Sequence, residues 1–273
     1  MIPLVLALAS CTHLTAESAP APTAVPYRSP DPGGASAPAP TAPTATPSRS
    51  PDGIGRVGSD KAAKHAGALF RAGAGDHFCS GTVVTGGGAD LVVTAAHCVT
   101  SGPGLAAYAD LEYAPAYRHG TAPFGVWKAA RVTVDPRWTQ NADPDLDVAF
   151  IELEPRNGQR VADVVGAERI EFGRPGSGPV RLTGYPDGAD DPLTCLGTMT
   201  QRDDGQLRVE CTGYAPGTSG TPWLTDFDPV TRTWAVVGVI GGYQLGGDTD
   251  DVSYSPYFGP DVQQLYQQAV QGA

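Results

Sequence analysis

The sequence Gly217-Thr218-Ser219-Gly220-Thr221-Pro222-Trp223 places a serine between glycines on a tight loop. Upstream, Thr94-Ala95-Ala96-His97-Cys98 places a histidine just after an apolar run and next to a cysteine. Asp147 directly precedes a second apolar run, Val148-Ala149-Phe150-Ile151. A serine hydroxyl becomes a nucleophile when an imidazole takes its proton, and a carboxylate orients that imidazole. The chain therefore supplies the three groups that such a site needs, in the order His, Asp, Ser.

Together these stretches resemble those of the chymotrypsin-like (trypsin-like) serine endopeptidases, over roughly residues 63 to 270. The resemblance implies that Ser219 is the nucleophile, His97 the general base and then acid, and Asp147 the group that orients His97. It also implies that the backbone N–H groups of Gly217 and Ser219 form an oxyanion hole. Two neighbouring carboxylates compete with Asp147, but neither directly precedes the apolar run, as the family's aspartate does; they are Asp143 and Asp145. The remaining histidines have no comparable context and receive no role: His13, His65, His77 and His119.

From about residue 63 the chain alternates short apolar segments with glycine-rich turns, which is typical of β-strands. Two clusters of about six strands predict an all-β fold of two packed antiparallel six-stranded β-barrels, about 63–155 and about 165–258. His97 and Asp147 belong to the first barrel and Ser219 to the second. Apolar residues then recur at helical spacing, which predicts a C-terminal α-helix over 261–270.

The first 53 residues differ in composition from the rest. Residues 12–53 form a Pro/Ala/Thr-rich linker that holds ten of the 26 prolines, and we expect it to be disordered, as a stalk or as a plain spacer. Residues 1–11 resemble a bacterial lipobox in which Cys11 carries the lipid, although no Lys or Arg precedes the apolar stretch. Lipidation of Cys11 would anchor the protein to a membrane, and ordinary secretion is the alternative. The serine endopeptidase domain would then span 54–273.

The other four cysteines indicate an oxidising compartment. The family has a disulfide at the positions of Cys79 and Cys98, and the resemblance implies the same bond here. Cys195 and Cys211 flank a segment with a predicted hairpin turn, and we expect them to pair as well. Two disulfides predict an exported protein, either secreted or lipid-anchored on the outer face of a bacterial membrane.

The charge and motif content of the chain indicate which classes of binding partner to expect. The net charge is −11, and no cluster of Lys or Arg is present, which disfavours nucleic-acid binding. No metal-ligand spacing such as His-Glu-x-x-His occurs. We therefore expect a polypeptide substrate, no metal, no organic cofactor and a monomer.

The residue before the serine departs from the animal members of the family. Those members have an aspartate there, which binds the N-terminal amine released by zymogen cleavage. Thr218 cannot make that ion pair, so we expect a site that forms without such cleavage. The run Gly-Thr-Ser-Gly-Thr-Pro, with Gly184-Tyr185-Pro186 upstream, is closer to bacterial exported members near the glutamyl endopeptidases.

The resemblance also places a primary specificity pocket. Gly213 stands where trypsin has an aspartate, and Ile240 stands where the glutamyl endopeptidases have a histidine, which argues against both preferences. Glycines in the walls of this pocket would leave room for a bulky apolar side chain of the substrate. The candidate pocket residues are Gly213, Tyr214, Gly241, Gly242, Tyr243 and Tyr254.

Two other functions compete with a serine endopeptidase. A catalytically silent protein of chymotrypsin fold would use the same cleft for binding at the cell surface. An α/β-hydrolase esterase requires Gly-x-Ser-x-Gly and the order Ser, acid, His, and this chain has neither.

Overall fold

The structure is a computed structural model that describes residues 55–56, 64–73, 75–86, 90–100, 102 and 104–272. The predicted lipobox with Cys11 and the predicted linker 12–53 lie outside these residues. Within them, no helix is both long enough and apolar enough to cross a membrane.

The first half of the domain is a closed antiparallel barrel of six strands, in the order β2-β3-β4-β7-β6-β5. Its strands are β2 (Ala66–Arg71), β3 (Cys79–Val84), β4 (Leu91–Thr94), β5 (Leu111–Pro115), β6 (Trp127–Val134) and β7 (Ala149–Leu153). Every residue of β3 and β4 is buried. Their side chains are small, β-branched or apolar, so one face can line the barrel interior while the other packs against neighbouring elements.

The second half is an eight-stranded sheet in the order β14-β11-β10-β9-β12-β13-β8, with β1 paired to β10. Its strands are β1 (Gly55–Arg56), β8 (Arg169–Ile170), β9 (Gly178–Gly184), β10 (Leu193–Gln201), β11 (Gln206–Glu210), β12 (Pro222–Asp228), β13 (Thr233–Val239) and β14 (Val252–Pro256). All neighbours are antiparallel except β8, which runs parallel to β13. The two strands that exceed the predicted six are short, since β1 and β8 have two residues each.

One hydrophobic cluster joins both halves to the C-terminal helix. It combines Phe150 of the barrel with Val236 of the sheet and Leu265 of helix α3 (Pro260–Gln271), all of them buried. Full burial of such side chains stabilises the fold by about 1.5–3 kcal/mol each. This cluster holds the two halves together. It therefore fixes the positions of the loops that carry His97, Asp147 and Ser219.

The fold class predicted from the sequence is confirmed. The barrel, the second sheet and the C-terminal helix are all present, and the helix extends the predicted 261–270 by one residue at each end. Two short helices were not predicted, α1 (Pro136–Asn141) and α2 (Val161–Val165). The structure contains the disulfides Cys79–Cys98 and Cys195–Cys211, which are the expected pairs.

Candidate active site

His97 lies at the end of a buried strand. Strand β4 ends at Thr94, and the chain then forms a short 3-10 helix, Ala96–Cys98. Ala96 and Cys98 are buried, whereas the side chain of His97 keeps 18% of its surface exposed. The disulfide from Cys98 to Cys79 ties this helix to β3. The imidazole therefore projects from a fixed backbone toward solvent.

Asp147 lies between a 3-10 helix, Pro144–Leu146, and β7, and it is fully buried. Its carboxylate accepts three hydrogen bonds. Oδ1 accepts from the backbone N–H of His97 at 2.9 Å, and Oδ2 accepts from His97 Nδ1 at 2.7 Å and from the N–H of Gly242 at 2.8 Å. Three donors compensate for the loss of water around this buried charge.

The same contacts select one tautomer of His97. An ionised carboxylate only accepts hydrogen bonds, so Nδ1 carries the proton that is shared with Asp147. In the neutral imidazole, Nε2 then has a free lone pair. The two competing carboxylates lie elsewhere: Asp143 accepts from the N–H of Asp145, and Asp145 accepts from the side chain of Gln206.

The serine loop, residues 215–221, is held by hydroxyl groups of its own. The Thr218 hydroxyl donates to the carbonyl of Ala215 at 2.7 Å, and the Thr221 hydroxyl donates to the carbonyl of Thr218 at 2.6 Å. Both threonines are buried, whereas Ser219 between them is half-buried. The loop therefore keeps its shape without an ion pair at residue 218.

This loop packs against the segment that leads to His97. The carbonyl of Ser219 accepts from the N–H of Ser80 in β3 at 2.7 Å. At the next residue, Gly220, a side chain would collide with the Ser80 carbonyl and the Thr94 hydroxyl. Glycine is required there, because only a bare backbone approaches β3 and the end of β4 this closely.

Gly217 is also restricted to glycine. Its φ is +91°, and a Cβ would lie 2.5 Å from the nitrogen of Asp187 and 2.8 Å from the carbonyl oxygen of Tyr185. Across the residues that the structure describes, neither the N–H of Gly217 nor that of Ser219 has a hydrogen-bond acceptor. Both amides are therefore available to an external acceptor.

Of the candidate pocket residues, one tyrosine is buried and hydrogen-bonded, and others form a segment beside an aromatic pair. Tyr214 is buried, its hydroxyl donates to the carbonyl of Leu182 at 3.0 Å, and burial raises the pKa of Tyr214, so it stays neutral. Gly241 donates its N–H to the carbonyl of Tyr254 at 3.0 Å, and the rings of Tyr243 and Tyr254 meet edge to face at 5.0 Å. The segment 241–243 thus runs from Asp147 to this aromatic pair.

Three residues near the site are not predicted by any sequence pattern. Gln206 is buried and its side-chain amide donates to the carbonyl of Pro144 at 3.0 Å, while its oxygen accepts from the N–H of Tyr243 at 3.0 Å. The guanidinium of Arg202 stacks 3.6 Å from the ring centre of Tyr243. The third is Ser80, next to Cys79. No motif identifies these residues, because their partners are distant in sequence.

Cys79, His97 and Cys98 lie close enough together to suggest metal ligands. However, the two cysteine sulfurs are bonded to each other. They are not thiolates, so this group lacks the ligands that a metal would need.

Comparisons with known proteins agree with this fold. The model of the trypsin-like peptidase domain matches residues 79–239. The chain is 30% identical to the protease Anisep from Arthrobacter nicotinovorans, over 76% of this chain and 96% of that one, with a TM-score of 0.65. It is also 30% identical to the thermostable serine protease AL20 from an extremophilic microorganism, over 78% and 100%, with a TM-score of 0.68.

A glutamyl endopeptidase solved with MPD is similar in fold alone, at 17% identity over 81% of this chain and 97% of that one, with a TM-score of 0.62. A search of the curated proteins finds no match. The fold and the matches define a serine-type endopeptidase, which is a hydrolase. The chain belongs to the trypsin-like peptidase family.

Proposed function

We propose that the protein hydrolyses peptide bonds through an acyl-enzyme on Ser219, with His97 as general base and Asp147 as the group that orients it. The observation that carries this proposal is the buried Asp147 carboxylate bound to His97 Nδ1 at 2.7 Å. That bond leaves Nε2 as the proton acceptor. The serine loop packs on the strand that leads into His97, which supports Ser219 as the proton donor.

In the first half of the reaction, Ser219 Oγ attacks the carbonyl carbon of the substrate while His97 Nε2 takes the hydroxyl proton. The carbonyl oxygen becomes negatively charged. The free N–H groups of Gly217 and Ser219 would bind that oxygen, and one such donor contributes about 3–4 kcal/mol to lowering the barrier. The intermediate collapses, and the leaving amine takes the proton from His97.

In the second half, His97 accepts a proton from water as the water oxygen attacks the ester carbon of the acyl-enzyme. Collapse of the second intermediate returns the proton to Ser219 and releases the carboxylic acid product. Asp147 stays ionised throughout and stabilises the imidazolium that forms twice per cycle.

We further propose that the enzyme acts outside the cell, as a domain of residues 54–273. The two disulfides support an oxidising compartment. Cys11 would provide a lipid anchor ahead of the linker 12–53, and intact mass of membrane-extracted protein tests for it. A mass equal to that of the unmodified chain would contradict the anchor and leave the peptidase proposal intact.

Labelling with a fluorophosphonate probe tests the mechanism without knowledge of the preferred substrate. Ser219 Oγ would attack phosphorus, fluoride would leave, and His97 would take the hydroxyl proton. We expect stoichiometric labelling of the wild type and none of Ser219→Ala. Ser177→Ala is the matched control, because Ser177 is an exposed serine outside the site, and it should label normally. A folded wild type that does not react, and that releases no peptides from casein, would instead indicate a silent binding protein.

A further inference from the structure

Among the described residues, Ser80 of the barrel has four hydrogen-bond partners outside its own strand pairing, and three of them lie more than 100 residues away. Its N–H donates to the carbonyl of Ser219 at 2.7 Å, and its hydroxyl oxygen accepts from the N–H of Tyr185 at 2.9 Å. The hydroxyl donates to the carbonyl of Gly217 at 3.1 Å. The fourth bond is the Thr94 hydroxyl on the Ser80 carbonyl at 2.7 Å. The residue is fully buried.

These partners determine the direction of the hydroxyl. The N–H of Tyr185 can only donate, so it occupies a lone pair on the Ser80 oxygen. The hydroxyl proton is then directed to the other neighbour, the Gly217 carbonyl, which can only accept. The hydrogen bonds therefore run in one direction, from Tyr185 to Ser80 and from Ser80 to Gly217. No other orientation of the Ser80 hydroxyl keeps both bonds.

The carbonyl before Gly217 is held as well. The Pro216 carbonyl accepts from the N–H of Asp187 at 2.7 Å. The Pro216 carbonyl and the Gly217 N–H belong to the same peptide group. Because a trans peptide is planar, these two groups point in opposite directions. The bond from Asp187 therefore directs the N–H of Gly217 to the opposite side. Both peptide planes that flank Gly217 are thus held from outside the serine loop.

We propose that the Ser80 hydroxyl is a positioning group for the oxyanion hole: it holds Gly217 in the conformation whose N–H faces the reacting oxygen. This rests on the proposed function of Gly217. In relatives with an aspartate before the serine, an ion pair shapes this loop, and Thr218 provides none here. The barrel supplies the constraint instead, through a residue that never touches the substrate.

The same strand offers a matched control. Thr82 lies two residues from Ser80 in β3 and is buried like it. Among the described residues, the Thr82 hydroxyl has no hydrogen-bond partner. Thr82→Val therefore removes a buried hydroxyl from the same strand face without breaking a bond, whereas Ser80→Ala removes one that bridges two segments.

The experiment compares fluorophosphonate labelling of wild type, Ser80→Ala, Ser80→Thr and Thr82→Val in the full chain. The probe concentration is varied, so that its affinity and its limiting rate are obtained separately. We expect Ser80→Ala to lower the limiting rate about 10- to 100-fold, a fraction of the loss from deleting an oxyanion donor. The probe affinity and the pH profile should not change, because His97 and Asp147 are untouched. Thr82→Val should match the wild type, and Ser80→Thr should restore most of the rate.

The outcomes separate the two proposals. An unreactive wild type would overturn the proposed function and, with it, the role of Ser80. A reactive wild type with Ser80→Ala labelling as fast as Thr82→Val would overturn the role of Ser80 alone. If Ser80→Ala does not fold, Ser80→Thr decides: a near-wild-type limiting rate supports the hydroxyl, and a loss of 10-fold or more in the folded protein contradicts it.

Discussion

The two sides of the cleft are held by different kinds of interaction. On the histidine side, a disulfide joins Cys98 to Cys79, and the buried charge of Asp147 binds His97 at two of its atoms. On the serine side, the loop that carries Ser219 has no disulfide and makes no salt bridge among the described residues. It is held by backbone amides and by small hydroxyls.

This difference follows from what each side would have to do. In the proposed mechanism a proton moves at His97, so a permanent charge beside it is useful, because it stabilises the imidazolium. At the serine loop, negative charge would develop on the substrate, and a carboxylate there would repel it. Backbone N–H groups suit that task when the carbonyl of the same peptide group is held on the other side. For the N–H of Gly217 that carbonyl is Pro216, bound by the N–H of Asp187, and for the N–H of Ser219 it is Thr218, bound by the Thr221 hydroxyl.

The largest effect should come from the charge on the histidine side. We expect Asp147→Asn to lower the rate of casein hydrolysis about 10⁴-fold, because an amide can donate to Nδ1 and so favour the wrong tautomer of His97. Asp145→Asn is the matched control, since it changes a neighbouring carboxylate that binds Gln206 rather than His97. It should keep nearly full activity. Equal losses in the two variants would mean that Asp147 has no special role.

The next largest effect should come from backbone shape on the serine side. Gly217→Ala puts a methyl group against the backbone of Asp187 and Tyr185, so the loop must shift. We expect the limiting rate of fluorophosphonate labelling to fall about 10²–10³-fold, the loss measured when one oxyanion donor is removed.

Gly173→Ala controls for the left-handed backbone alone. Its φ is +69°, it is exposed, and no atom lies within 4 Å of the added Cβ. Strain of roughly 1–2 kcal/mol should lower the stability of this variant and leave its labelling rate unchanged. A Gly217→Ala enzyme that labels as fast as Gly173→Ala would contradict the requirement for glycine at residue 217.

The sequence predicted elements best where a local pattern was strong. Helix α3 has a dense apolar pattern, and its predicted bounds, 261–270, are correct to within one residue. Strand β5 has no such pattern, because its sequence, Leu-Glu-Tyr-Ala-Pro, is short and ends in proline. Helix α1 was missed although Asp135 caps it and Pro136 begins it, signals that do predict a helix start.

The candidate site shows the same limit. His97, Asp147 and Ser219 each lie in a recognisable motif, so sequence alone could nominate them. Ser80 and Gln206 lie in no motif, and what they do depends on distant partners such as Gly217, 137 residues from Ser80, and Asp145, 61 residues from Gln206. Only the folded chain brings those atoms together, and a single sequence carries no signal of the pairing.

The smallest expected difference in labelling rate is between variants that lack one or the other of the two disulfides. They close loops of similar size, with sequence separations of 19 and 16. In the chain-entropy account each therefore contributes about 3 kcal/mol to the free energy of unfolding. The double variants Cys79→Ser/Cys98→Ser and Cys195→Ser/Cys211→Ser should lose similar stability in urea, so each serves as the control for the other.

Their catalytic effects should differ. Cys98 follows His97, and Cys79 precedes Ser80, whose N–H binds the serine loop, so the first bond lies beside two groups that position the candidate site. Cys195 lies in β10, and Cys211 directly follows β11. We expect the labelling rate per folded molecule to fall a few-fold in the first double variant and to remain unchanged in the second. A slower second variant, or two equally fast ones, would mean that the disulfide beside His97 stabilises the fold without positioning the site.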